Sequence, residues 1–126
     1  MNTRKDIQEY ILYLKGKGQD MKGKPEMSSM FKSVERAIRL YREALAVLSV
    51  TDSKEYIESQ IDMAKRKIKE AETKWERSYP DADLNNPITR EARGMFLNAQ
   101  GMSRYLRMLK VMSVILNPIN SGDEKV

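Results

Sequence analysis

The chain has 126 residues, 33% of them charged, with a net charge of +5 and neither cysteine nor histidine. That length suits one domain with a real core. The composition excludes disulfides and thiolate chemistry, and it removes the commonest general base and metal ligand. No run of about 18 apolar residues is present, so no bilayer span is expected. The N-terminus lacks an apolar signal-peptide core, so secretion by that route is not expected and a virion or intracellular location is.

Thr3 followed by Asp6 predicts a capping box for a short first helix with Ile7, Tyr10, Ile11 and Leu14 on one face. Gly16 and Gly18 are expected to stop it. Residues 15–27 then read as a basic, glycine-broken linker carrying Lys15, Lys17, Lys22 and Lys24. It is either a solvated loop or an arm that orders on a polyanion. Residues 1–28 thus form an N-terminal helix and arm, 29–119 a helical bundle, and 120–126 a frayed tail.

Ser28 or Ser29 is expected to cap a second helix, with Phe31, Val34, Ile38, Tyr41, Leu45 and Leu48 in a heptad seam. Thr51-Asp52-Ser53 breaks it, and Asp52 with Glu55 suggests a box for a third helix. There Ile57, Ile61, Ala64, Ile68, Ala71 and Trp75 form a second seam. Two such helices joined by about three residues predict an antiparallel hairpin. Glu35 with Arg39, Asp62 with Arg66, Arg66 with Glu70, and Glu70 with Lys74 are four apart and suit surface ion pairs. The lysines around Arg66 therefore read as a solvated face.

Asn86-Pro87 is a good helix start, and Asn117-Pro118 a stop. A long C-terminal helix of roughly 45 Å is expected between them, completing an all-α bundle of three to four helices. Ile88, Ala92, Met95, Ala99, Met102, Leu106 and Leu109 continue the heptad spacing, while Gly94 and Gly101 are candidate kinks. No acid occurs from Ala92 to Gly122. Arg90, Arg93, Arg104, Arg107 and Lys110 then form a cationic stripe suited to phosphates. Tyr105, Met108, Met112, Ile115 and Leu116 make the last turns apolar nearly all round, and a second chain is the expected cover.

Three other patterns fail on chemistry. Gly18 to Lys24 fits the start of a P-loop, but Pro25 stands where Ser or Thr must hold magnesium. Asp81, Asp83 and Asn85 alternate as in a calcium loop, but Asn86 and Ala92 occupy the required Gly and Glu positions. The acids of the second and third helices lie off the apolar seams, where they stay solvated and too acidic for general acid work. The expectation is no enzyme, no metal and no cofactor.

The basic segment Lys15 to Lys24, the hairpin from Ser29 to Tyr79 and the Arg-bearing helix from Pro87 to Leu116 resemble, in organisation, the helical capsid proteins of filamentous archaeal viruses. The resemblance implies paired copies wrapping duplex DNA. The expected function is a structural, oligomerising coat that grips phosphate without reading sequence. A helical adaptor or inhibitor, binding one protein through the Met-rich last helix, is the alternative.

Overall fold

The computed structural model describes residues 1–119, and among them all regular structure is helical. The helices are α1 (Arg4–Met21), α2 (Ser28–Leu48), α3 (Lys54–Ser78), α4 (Pro87–Ala99) and α5 (Met102–Leu116), with a 3₁₀ turn at Pro25–Met27. The chain divides into two compact units. The first is Met1–Glu58 together with the chain from Lys110 onward; the second is Ser59–Leu109.

In the first unit the capping box forms as the sequence suggests. Thr3 Oγ1 accepts from the Asp6 amide at 3.2 Å, and Asp6 accepts from the Thr3 amide at 2.8 Å. These bonds from Thr3 hold the exposed Asp6 carboxyl below its usual pKa. Ile7, Ile11, Leu14 and Gly18 make the buried face of α1.

The expected linker from residue 15 is instead two more turns of helix. Gly16 and Gly18 do not stop α1, because Gly18 sits on its buried face. The Phe31 ring and a Val34 methyl each lie 3.7 Å from where a Gly18 Cβ would be. Packing of α1 along α2 thus repays a helical glycine, which costs about 1 kcal/mol relative to alanine. The pair runs antiparallel, with Tyr10 against Tyr41 at 4.7 Å between ring centres. The stop falls at Lys22-Gly23, where Gly23 takes a φ of +80°.

Neither Ser28 nor Ser29 caps α2. The 3₁₀ turn feeds straight into the helix, and the Ser28 amide is satisfied by Pro25 O. Along α2 the heptad residues Phe31 to Leu45 are half-buried, while Ala44 and Leu48 are the buried ones. The cap of α3 falls one residue beyond Asp52, on Ser53, whose hydroxyl accepts from the Tyr56 amide at 3.2 Å. The seam of α3 is well drawn by its heptads: Ile57, Ala64, Ala71 and Trp75 are buried.

In the second unit Ala71, Trp75, Leu97 and Met102 form a core, with Ile68, Ala82 and Phe96 packed on it. Trp75 meets Tyr79 and Phe96 at ring-centre distances of 4.4 and 5.4 Å. Asn86 caps α4 by accepting from the Ile88 amide at 2.9 Å, with Pro87 at the first helical position.

The single long C-terminal helix is corrected to two. Gly101 takes a φ of +88°, and its amide bonds back to Asn98 O, ending α4. The heptad face of α4 is also reversed: Ile88 and Met95 are 77% and 69% exposed. The adjacent pair Phe96 and Leu97 offers more apolar area than a stripe diluted by Ala92 and Ala99, so it takes the inward side. The break at Gly101 then resets the phase, and Met102 is buried.

The glycines therefore separate by experiment. Gly16 and Gly94 are helical with open space around them. Gly16→Ala and Gly94→Ala should each raise stability by about 0.5–1 kcal/mol in urea melts. Gly101→Ala should lower it by about 1–2 kcal/mol through its left-handed backbone, its Cβ meeting the Tyr105 ring at 3.3 Å. Equal effects at all three would contradict these assignments.

Candidate phosphate-binding surface

The predicted C-terminal cations do not form one stripe, since Gly101 separates Arg90 and Arg93 on α4 from Arg104 and Arg107 on α5. Arg93 is half-buried and spent within the unit, its guanidinium donating to Glu72 at 3.4 Å. Arg107 is half-buried and has an interaction of its own. Arg90, Arg104 and Lys110 are exposed. No carboxylate pairs with them among the described residues. Arg104 lies 5.7 Å from the centre of the Tyr105 ring, within cation–π range.

The N-terminal lysines sit on ordered backbone rather than a loose arm. Lys15 and Lys17 are on the exposed side of α1, and Lys22 and Lys24 flank Gly23 in the turn that follows. Lys17 Nζ is 5.6 Å from the Tyr13 ring centre. Helical backbone fixes the first two at a set spacing, so less order has to be imposed when an anion binds.

A face of α3 that the sequence presented as self-neutralised is different in the structure. Arg66, Lys69, Glu70, Thr73, Lys74, Arg77 and Ser78 line an open groove. Glu70 is paired with Lys67 at 3.6 Å, rather than with Arg66 or Lys74. Lys74 instead donates to Gln100 Oε1 at 3.2 Å. Arg66, Lys69 and Arg77 are left exposed without a carboxylate partner among the described residues. The steps from 66 to 69, 73 and 77 would have drawn this face. Which cation Glu70 chooses, and that Gln100 reaches Lys74, are tertiary facts that spacing does not carry.

The residues expected to meet a second chain are largely covered by this one. Met112 is 7% exposed and Ile115 is fully buried, while Tyr105, Met108 and Leu116 are half-buried. Part of their cover is Asn2, itself buried. Its side-chain amide donates to Val114 O at 2.7 Å and Asn117 O at 2.9 Å, and its carbonyl accepts from the Ile119 amide at 3.0 Å. The Asn2 amide donates to Ile115 O at 2.8 Å. The exposed apolar side chains lie elsewhere, with Ile88 and Met95 the most prominent on α4.

Among the described residues no helix is long and apolar enough to cross a membrane. Compared with known proteins, the chain matches no family, no curated protein and no solved structure.

Proposed function

We propose that this chain is a structural, non-enzymatic protein that oligomerises and coats nucleic acid, with duplex DNA as its target. It grips the phosphodiester backbone without reading bases. The observation that carries this reading is the set of exposed cations with no carboxylate partner among the described residues: Arg104 and Lys110 within the acid-free C-terminal stretch, and Arg90 just before it. The exposed lysines of α1 and its turn add to it. Guanidinium forks without competing acids suit phosphate oxygens. The reading keeps the α2–α3 hairpin suggested by the two heptad seams, and takes a virion coat as the setting its organisation resembles. The exposed Ile88 and Met95 supply the apolar contact between copies in place of the buried Met112 and Ile115.

A second reading rests on those same two side chains. A 77% exposed Ile and a 69% exposed Met on one helix face also suit an adaptor that binds a different protein. Fluorescence anisotropy with labelled duplex DNA across a salt series, combined with sedimentation, separates the two. A coat should form large assemblies on DNA and lose affinity steeply as salt rises. Replacing Arg90, Arg104 and Lys110 together with Gln should lower the salt slope by about 2.7, at about 0.9 per phosphate contact. A small discrete oligomer indifferent to DNA at low salt would reject the coat in favour of the adaptor.

A further inference from the structure

The groove on α3 has no role in the reading above, and its chemistry is one-sided. Arg66, Lys69, Lys74 and Arg77 bring four cations to one face, with Glu70 the single acid among its lining residues. Glu70 is drawn toward Lys67, which is not part of that lining. Thr73 and Ser78 add hydroxyl donors. Gln100 holds Lys74 through its ammonium at 3.2 Å, so this cation is partly ordered before any ligand arrives.

The helix terminus accounts for only one of the four. Arg77 lies in the last turn of α3 and offsets the negative end of the helix dipole. That effect fades within one turn, so Arg66 and Lys69 need another explanation. From Arg66 to Arg77 the face rises roughly 16 Å along the axis, at about 1.5 Å per residue. A face of that length can run beside several successive phosphates of one strand. A compact anion would use one or two of these cations; a polymer uses them all. The nearby rings of Trp75, Tyr79 and Phe96 pack against one another in tilted and edge-on contacts, which disfavours a site built on base stacking.

We propose that this face of α3 is a phosphodiester track, gripping one strand of a nucleic-acid duplex through Arg66, Lys69, Lys74 and Arg77. It rests on the nucleic-acid reading and adds a contact surface to it. Glu70 is the one acid on the face, and its pairing with Lys67 offsets its charge there.

The test is anisotropy with a labelled duplex of about 20 base pairs between roughly 50 and 200 mM salt. The variant is Arg66→Gln with Arg77→Gln; both side chains are exposed, and circular dichroism checks the helix content. The control, Lys32→Gln with Arg36→Gln on α2, makes the same change in net charge at two exposed positions. The α3 variant should lose about 1.8 from the salt slope, at about 0.9 per contact, and bind roughly tenfold or more weakly. The control should keep the slope. Arg66→Lys with Arg77→Lys should restore most of it, since the charges remain. Equal losses in variant and control would show a bulk charge effect and overturn the track. DNA binding with an unchanged slope in the α3 variant would overturn it while leaving the coat reading standing on α4 and α5. No binding by the unaltered protein would remove the coat reading and the track together.

Discussion

Asn2→Ala should lower stability by about 2–4 kcal/mol, or roughly 10 °C in melting temperature. Asn2 is only 2% exposed, and its side chain makes three bonds to the chain around the end of α5. Truncation leaves the Val114 and Asn117 carbonyls and the Ile119 amide without those partners; these bonds are part-buried, so each loss falls at the low end of the about 1–3 kcal/mol that an unsatisfied buried group costs. Asn2→Asp tests the geometry of the bonds. One carboxylate oxygen keeps the bond from Ile119, while the other faces two carbonyl oxygens that it repels. At neutral pH this variant should be at least as unstable as Asn2→Ala. Thermal melts by circular dichroism read both variants. A melting temperature within about 2 °C of the unaltered protein for Asn2→Ala would show that water replaces the side chain at no cost.

Trp75→Ala should cost about 3–5 kcal/mol, the range for emptying a large aromatic site. Trp75 is 6% exposed and joins α3 to α4 through Phe96, with Ala71, Leu97 and Met102 in the same core. The residues left behind are mostly small or flexible and cannot fill an indole-sized void without moving α4. Trp75→Phe keeps a ring against Phe96 and should cost less. It is the chain's only tryptophan, so fluorescence of the unaltered protein reports on the second unit alone. Urea melts of the variants are followed by circular dichroism. An unchanged midpoint in Trp75→Ala would mean that the unit does not depend on this core.

Local chemistry was readable where neighbours in sequence decide it. Thr3 with Asp6, Asn86 with Pro87, and the buried heptads of α3 all came from short-range spacing. The errors lie where a distant group decides. Gly18 looks like a breaker until Phe31 and Val34 are placed against it. Ile88 and Met95 form a better stripe than Phe96 and Leu97, but the core beside Trp75 accepts the larger adjacent pair. The last turns of α5 looked in need of a second chain because Asn2 lies more than a hundred residues away in sequence. The cationic surface was half readable. Exposed Arg104 and Lys110 follow from an acid-free stretch, whereas Arg93 is neutralised by Glu72 on another helix. The α3 face was hidden by the i, i+4 rule, which assigns Glu70 to Arg66 or Lys74 when it in fact pairs with Lys67.

The bond between Asn2 and Val114 spans 112 positions in sequence. Closing a flexible loop of that length costs about 4 kcal/mol by the (3/2)RT ln n estimate, before the constant term. The second unit is one continuous stretch, Ser59–Leu109, lying inside that loop. Folding of that stretch first would shorten the disordered path between the two segments of the first unit. Translation also delays the closing contact, since the residues from Lys110 onward are made after the inserted stretch. On that order the Asn2–Val114 contact closes late, and refolding rates should respond to changes in the inserted unit as well as to changes at the closing contact.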